Sequence, residues 1–303
     1  MVTISRNKAI GALVGLAVGD ALGMPVEFCK RDTFQPVTDL RAGGPFSLQT
    51  GQWTDDTSMA LCLADSLIET DDFNATDLMN RFVNWYQWGH NSVTGECFDI
   101  GIATRQALDD YLKTRLAMSG DPDIRRSGNG SLMRLSPVAI RFANDVDKAS
   151  DISRAQSRTT HASPLCLEAC DVFARMLCAA IAGKTKAEVL SIRSGITRSE
   201  FARLDNPGRG RDDISSSGYV VDTLDAALWC VAQCDSFEDA VCLAVNLGDD
   251  SDTVGAVTGQ IAGALWGYEA IPAHWRARLA WENDIRQRGE KLFDKALSDL
   301  QQS

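Results

Sequence analysis

The sequence predicts an all-α fold, and three observations support this prediction. Apolar residues recur at spacings of three and four along most of the chain, as they do on one face of an α-helix. Runs that alternate apolar and polar residues are absent, and the β-branched residues are not gathered into short strand-like segments. With 303 residues, 45% of them hydrophobic, and no linker rich in Pro, Gly or Ser, we predict one domain, residues 1–303.

The helical periodicity predicts about ten helices, and three longer segments read as irregular. In chain order, we expect helices at residues 9–22, 57–68, 75–88, 100–116, 132–142, 164–182, 220–233, 236–247, 253–266 and 272–298. The irregular segments are 29–52, 119–131 and 202–218. Because long loops in a compact fold are often functional or mobile, these segments are candidates for the surroundings of a site.

Glycine recurs every fourth residue in the first and ninth predicted helices. The two glycine ladders are Gly11, Gly15, Gly19 and Gly23, and Gly255, Gly259, Gly263 and Gly267. Each glycine costs a helix up to about 1 kcal/mol relative to alanine, so the ladders indicate close packing of another backbone. Acidic residues adjoin both ladders. If the two helices pack centrally, we expect these acids to meet.

Composition and charge exclude several classes of protein. The net charge of −11 argues against a dedicated nucleic-acid-binding protein, and three histidines argue against a histidine-rich zinc or copper site. The nine cysteines include no CxxC pair and fit buried thiols, so we expect a reducing, cytoplasmic location. The basic and apolar start of the chain resembles a short signal peptide. However, Asp20 follows directly, so we expect a buried helix and no membrane span.

Two acidic motifs precede predicted helices. The first is WTDDTSMAL, residues 53–61, and the second is GDDSDTVGAV, residues 248–257. Either motif alone is typical of a helix cap, but adjacent side chains diverge by about 100°, so Asp55 and Asp56 cannot both cap. No lysine or arginine lies near either motif in the sequence. Together with Glu27, the motifs favour an oxygen-ligand site for Mg²⁺ or Mn²⁺.

Four further features have both a structural and a functional interpretation. The turn Gly128-Asn129-Gly130-Ser131 precedes a helical pattern and would expose amides suited to phosphate, although an ordinary turn fits as well. This turn is neither a Walker loop nor a dinucleotide fingerprint. His161 is flanked by small polar residues, and structural and functional roles are equally compatible with that setting. Asp99 fits a helix cap, and Tyr219 fits a core residue.

The motifs together resemble one known family. WTDDTSM, GNGSLMR, THASP and GDDSDTVGAVTGQIAGALWG occur in the order found in the ADP-ribosylglycohydrolase family. CFDIG and GYVVDTLDAALW are most similar to its bacterial branch, which includes the dinitrogenase reductase-activating glycohydrolase. The resemblance spans about residues 9–268. It implies a compact orthogonal helical bundle with a binuclear metal centre in a central cleft.

The resemblance also implies roles for individual residues. The expected metal ligands are Thr54, Asp55, Asp56, Asp250, Asp252 and Thr253, with Glu27 at the edge of the centre. The Gly128–Ser131 turn and His161 match segments that hold the diphosphate and nearby ribose of ADP-ribose, and Tyr219 matches a residue that stacks on adenine. Asp99 matches an aspartate that acts on the substrate ribose. Ile102 departs from the asparagine often found in this branch, so a ribose contact is missing or supplied elsewhere.

The resemblance implies a metal-dependent hydrolase that removes ADP-ribose from a modified protein side chain, with ADP-ribosyl-arginine the first choice. Its cofactors would be two divalent cations, Mg²⁺ or Mn²⁺, and its catalytic residues Glu27, Asp55, Asp56 and Asp99. One alternative is hydrolysis of O-linked ADP-ribose on serine or in O-acetyl-ADP-ribose. Another is an immunity-type protein that occludes an ADP-ribosyltransferase toxin. We expect a monomer, because no feature argues for an obligate oligomer.

Overall fold

The computed structural model describes residues 4–302, so residues 1–3 and 303 of the predicted domain lie outside the described part. Across that range the chain forms thirteen α-helices, a few short 3-10 turns and no β-strand. The all-α prediction is therefore confirmed. The helices are α1 Arg6–Gly23, α2 Asp55–Glu69, α3 Ala75–Trp88, α4 Ile102–Thr114, α5 Ser136–Arg141, α6 Val146–Arg158, α7 Pro164–Ile181, α8 Lys186–Leu190, α9 Val220–Gln233, α10 Phe237–Val245, α11 Ser251–Trp266, α12 Ala273–Arg278 and α13 Glu282–Gln302.

The two glycine ladders pack against each other at the centre of the fold. A Cβ added to Gly19 would lie 2.0 Å from the carbonyl oxygen of Gly255, and one added to Gly259 would lie 2.0 Å from that of Gly15. The contacts run in opposite directions along α1 and α11, so the helices are antiparallel. Their backbones touch along almost their whole lengths, and only glycine permits this approach.

The remaining helices surround this pair. Helices α5, α10 and α13 pack against α1, while α7, α9 and α10 pack against α11. Helix α2 lies between α3 and α13 and also contacts both central helices. Large buried side chains fill the space between the layers, among them Trp53, Phe82, Trp85, Phe173 and Trp275. The hydrophobic core therefore holds the central pair and the start of α2 in fixed positions.

Helix α1 is a core helix, as predicted. The segment Arg6–Val26 is long and apolar enough to cross a membrane, but 94% of its most apolar window is buried inside the protein. Burial by the other helices therefore accounts for its hydropathy.

Several predicted helix boundaries were wrong. Residues 132–134 form turns, so the predicted helix 132–142 begins only at Ser136. The predicted helix 272–298 is two helices, interrupted at Trp281, whose φ of 59° is left-handed. Helix α4 begins at Ile102 because the backbone at Asp99 is also left-handed, with φ of 57°.

Helices α6 and α8 were missed by the sequence analysis. The buried face of α6 consists mainly of small polar side chains, Ser150, Ser153, Gln156 and Ser157, instead of apolar ones. Few apolar residues therefore mark that face in the sequence, although the segment forms a regular helix. Helix α8 spans only five residues, too few for periodicity to reveal.

Candidate active site

The antiparallel central pair brings distant acids together. Glu27 follows the end of α1, whereas Asp250 and Asp252 stand at the start of α11. Because the end of one helix lies beside the start of the other, one carboxylate oxygen from each of the three acids lies within 4.8 Å of the other two. The two glycine ladders therefore determine where these acids meet.

The start of α2 completes the acidic cluster. The Thr54 hydroxyl oxygen lies 3.3 Å from a carboxylate oxygen of Asp56 and 3.2 Å from one of Asp252, which is 198 residues away in sequence. On the other side, the Thr253 hydroxyl lies 3.4 Å from the same Asp56 oxygen. The motifs WTDDTSMAL and GDDSDTVGAV thus face each other across the cluster, as the sequence analysis expected.

Asp20, which the sequence analysis did not select, caps α2 from a different helix. Its carboxylate accepts hydrogen bonds from the Thr54 amide at 2.9 Å and from the Thr57 amide and hydroxyl at 3.0 and 2.6 Å. These amides lie at the N-terminal end of α2, where backbone amides lack partners within the helix. Thr54 itself makes no side-chain cap. Asp55 and Asp56 are therefore released from capping and free to act in the site.

The acidic cluster is buried and has no cationic partner. Asp55, Asp56, Asp252 and Glu27 are each at most 6% exposed. None of them takes part in an ion pair within the described chain, and one oxygen each of Glu27, Asp56 and Asp252 has no hydrogen-bond partner there. Burial raises the pKa of Asp55, Asp56 and Asp252 well above the usual value, and the neighbouring carboxylates raise it further.

Glu27 and Asp99 form a carboxyl pair at the edge of this cluster. Burial, with Asp99 as the next cause, raises the pKa of Glu27 to about 9, and burial raises the pKa of Asp99 to about 8. Neighbouring carboxylates, among them Asp250, raise both pKa values further, so a proton or a cation must offset the charge of this pair. Asp99 does not cap α4, whose N-cap is Gly101. The helix-cap interpretation of Asp99 was therefore wrong.

The predicted phosphate-binding turn lies beside the acidic cluster. Asn129 donates from its side-chain nitrogen to Asp250 at 2.6 Å and to the Thr223 hydroxyl at 2.9 Å. Its backbone amide donates to Gly218, next to Tyr219. In the described chain, the amides of Gly130 and Ser131 donate to no backbone carbonyl, so a ligand would not have to displace a backbone partner there.

The side chain of Ser131 points away from any ligand. Its hydroxyl is fully buried and accepts a hydrogen bond from Ser157 at 2.8 Å. Any contribution of Ser131 to ligand binding is thus limited to its amide. Tyr219 stands just before α9, half-buried at the edge of the core, and Gly128 pairs with it in an isolated antiparallel bridge.

His161 faces the same turn. A Cβ added to Gly130 would lie 2.7 Å from Cε1 and 3.1 Å from Nε2 of its ring, and one added to Gly128 would lie 3.4 Å from Nε2. Burial, with Arg134 as the second cause, lowers the pKa of His161 to about 3. The ring is therefore neutral and presents its Nε2 edge to the glycine turn.

Comparison with known proteins agrees with this geometry. The family model described as ADP-ribosylglycohydrolase matches residues 1–301. The chain belongs to the ADP-ribosylglycohydrolase family. ADP-ribosylarginine hydrolase Tri1 of Pseudomonas putida is 44% identical to this hydrolase, over 96% of the chain and 79% of the relative.

Two other proteins support the assignment over nearly the full length. The ADP-ribosyl-[dinitrogen reductase] glycohydrolase of Rhodospirillum rubrum is 31% identical, covering 95% of this chain and 96% of the relative. A solved structure described as "ADP-ribosylglycohydrolase-related protein complex" superposes with a TM-score of 0.86 at 38% identity, covering 96% of this chain and 98% of that one. This ADP-ribosylglycohydrolase is therefore a hydrolase with the fold of its family.

The acidic cluster of the hydrolase fits the metal dependence of its family. Carboxylate and hydroxyl oxygens are the donors that small divalent cations prefer. Buried carboxylate oxygens without a protein partner are costly unless a cation or a proton neutralises them. The unpaired oxygens of Glu27, Asp56 and Asp252 point to such a partner.

Proposed function

We propose that the hydrolase removes ADP-ribose from arginine side chains of a modified protein and so reverses mono-ADP-ribosylation. The observation that carries this proposal is the convergence of unpaired buried carboxylates beside a glycine turn with free amides. The first arrangement suits cations and sugar hydroxyls, and the second suits a diphosphate. Arginine as the linkage is supported by the name of the 44% identical relative.

Six residues would hold two divalent cations, either Mg²⁺ or Mn²⁺. They are Thr54, Asp55, Asp56, Asp250, Asp252 and Thr253. When bound, such cations polarise water and orient ribose hydroxyls. The chain contributes rigidity, because Asp20 holds the Thr54 and Thr57 amides and Asn129 holds Asp250.

The Glu27 and Asp99 pair would manage the proton. Hydrolysis breaks the bond between the ribose carbon and the guanidine nitrogen and forms a bond from that carbon to water oxygen. One proton must leave the water, and one must reach the departing nitrogen. In such a pair a carboxylate can accept the first proton and a carboxylic acid can supply the second, and the raised pKa values of Glu27 and Asp99 favour the acid form at neutral pH. We therefore propose that this pair, rather than either acid alone, acts as the acid and base.

The turn half of the site would position the rest of the substrate. The free amides of Gly130 and Ser131 would bind the diphosphate, His161 would contact a neighbouring oxygen, and Tyr219 would stack on adenine. The segment 202–218 would read the modified protein. Arg31, close to Glu27 in sequence, donates to the carbonyls of Arg211 at 2.6 Å and Ile214 at 2.5 Å, which ties that segment to the acidic side.

Four further properties are part of the proposal. The chain would be one domain, a monomer and cytoplasmic, and a cognate ADP-ribosyltransferase is a candidate partner besides the modified protein. Analytical ultracentrifugation with and without such a transferase would test the oligomeric state and the partner. A dimer, or absence of binding, would contradict the respective expectation.

Release of ADP-ribose from arginine-linked and serine-linked peptides tests the function directly. We expect Mg²⁺- or Mn²⁺-dependent release from the arginine-linked peptide, abolished by excess chelator. Faster release from the serine-linked peptide would instead assign the enzyme to O-linked substrates. Activity that persists in excess chelator would contradict the metal-dependent reaction.

A further inference from the structure

We infer that Arg134 and Thr160 hold His161 in the neutral Nε2–H tautomer, which makes the ring a permanent hydrogen-bond donor to ADP-ribose at the glycine turn. Arg134 is then a positioning residue that acts through Thr160. The inference rests on the proposed function for the identity of the ligand, but not for the state of the ring. It assigns His161 a binding role and excludes it as an acid or base at neutral pH.

Arg134 is a buried cation that forms no ion pair within the part of the chain that the structure describes. Its side chain is fully buried and lies over the Phe82 ring at 4.6 Å. It donates to the Gln156 side chain at 2.8 Å, to the Gln156 carbonyl at 3.0 Å, and to the hydroxyls of Thr159 and Thr160 at 3.3 and 2.9 Å. Burying a charge against neutral oxygens alone costs folding free energy. An apolar side chain in the same space would cost less. What the guanidinium adds is a fixed set of donors.

The direction of the hydrogen bonds follows from what each group can do. Arginine only donates, so the Thr160 oxygen accepts from Arg134. Among the described residues, the Thr160 hydroxyl hydrogen then has one acceptor within hydrogen-bond distance, His161 Nδ1 at 2.8 Å. Nδ1 must therefore accept, and the ring proton is on Nε2. The other tautomer would make Nδ1 a second donor to the Thr160 oxygen and leave the Thr160 hydrogen without an acceptor in a residue that is 1% exposed.

The orientation of the His161 ring is fixed as well as its tautomer. The His161 amide donates to the Ser157 carbonyl at 2.6 Å, and its carbonyl accepts from the Ser157 hydroxyl at 2.7 Å. Nε2 faces the turn, in the space that a Cβ on Gly128 or Gly130 would enter, and it has no hydrogen-bond partner in the described chain. A neutral donor in that position suits a phosphate or ribose oxygen and keeps its proton when the product leaves.

Nitrogen-15 NMR of the histidine rings tests the tautomer in the intact protein. The chain has only three histidines, His90, His161 and His274, so the signals are few. We expect His161 to show a protonated Nε2 and an unprotonated Nδ1 from pH 6 to 8. A signal of the Nδ1–H tautomer, or of a charged ring, would overturn the inference without any substrate.

Two adjacent threonines provide a matched pair of variants. Thr160→Val removes the hydroxyl between Arg134 and His161, whereas Thr159→Val removes a neighbouring buried hydroxyl that also accepts from Arg134 but does not touch the ring. We expect Thr160→Val to mix the tautomers and weaken ADP-ribose binding about tenfold by calorimetry, while Thr159→Val changes neither. Thr160→Ser should restore both.

Arg134→Met tests the positioning residue itself. Without the guanidinium, the Thr160 oxygen is free to accept from Nδ1, so we expect the Nδ1–H tautomer to appear. If this variant does not fold, the wild-type spectrum and the two threonine variants still decide. Unchanged spectra and affinity in Thr160→Val would overturn the inference. If His161 shows the assigned tautomer but the protein does not bind ADP-ribose, the proposed function is overturned instead, and with it the donor role of His161.

Discussion

In the acidic half of the site, formed by Glu27, Thr54–Asp56, Asp99 and Asp250–Thr253, buried carboxylates face one another without a cation in the described chain. Behind the turn half, formed by Gly128–Ser131, His161 and Tyr219, lies a buried cation, Arg134, that faces neutral oxygens. One half collects charges of the same sign, and the other surrounds a single charge with hydrogen bonds.

The difference indicates how each half acquires its binding geometry. The turn half is held by hydrogen bonds of Asn129, Thr160 and Ser157, so its shape is present before any ligand binds, and it leaves the Gly130 and Ser131 amides and His161 Nε2 without a partner in the described chain. The acidic half keeps unpaired oxygens and elevated pKa values, so cations or protons must complete it. Changes in the acidic half should thus alter metal dependence and stability together, whereas changes in the turn half should alter affinity for ADP-ribose.

The largest effect is expected from Asp55→Asn/Asp56→Asn. Loss of two candidate ligands should lower ADP-ribose release at least about a thousandfold, because positioned cations carry much of such a reaction. In chelator the same variant should unfold at a higher temperature than wild type, since mutual repulsion is removed. Asp171→Asn is the control. Asp171 is equally buried but pairs with Arg154 and Arg175, so its loss should lower stability and spare activity. Full activity of the double variant would refute the roles of Asp55 and Asp56.

Gly19→Ala should disrupt the acidic half by separating α1 from α11, the two helices that bring its acids together. The new Cβ would lie 2.0 Å from the Gly255 carbonyl oxygen, so α1 and α11 must move apart at a cost of about 2–4 kcal/mol in the free energy of unfolding. Urea denaturation measures this cost. Gly208→Ala, at an exposed site without close neighbours, should change stability little. Equal stability of the two variants would show that the ladder contact is not tight.

The pH dependence of stability should differ between the metal-free and the metal-bound acidic half. The pKa of Glu27, about 9, and that of Asp99, about 8, exceed the unfolded values of about 4, so the folded state binds more protons between these limits. In chelator, the melting temperature should therefore fall as pH rises from about 5 to about 9. Saturating Mg²⁺ or Mn²⁺ should remove this fall. A rise with pH in chelator would contradict the elevated pKa values.

The smallest effect is expected from Ile102→Asn at the start of α4. Ile102 is 79% exposed, so the substitution should change the free energy of unfolding by at most about 0.5 kcal/mol. The substitution introduces the amide that the bacterial branch of the family often has near this aspartate. We expect a modest increase in kcat/KM for arginine-linked substrate with no change in metal affinity. A large loss of activity would show that the exposed isoleucine itself contacts the substrate.

Sequence reasoning was most successful where one segment contains the whole signal. The glycine ladders predicted the central pair of helices, and the acidic motifs predicted the acidic cluster, because each pattern lies within a few turns of helix. Asp20 escaped notice because it caps a helix far away in sequence, although an aspartate inside an apolar helix was a usable signal. The link from Arg134 through Thr160 to His161 could not be predicted from the sequence, because it depends on which loops become neighbours in the fold. Helix α6 was missed because its buried face is polar.

The pairing of α1 with α11 also sets the order in which the site forms during synthesis. Helices α1 and α2 leave the ribosome early, whereas α11 begins at Ser251 and emerges near the end of translation. Thr54 and Asp252, separated by 198 residues, meet only after that point. Long-range contacts of this kind close late in folding. An incomplete chain therefore lacks half of the acidic cluster, and we expect hydrolase activity only from chains that have been translated past α11.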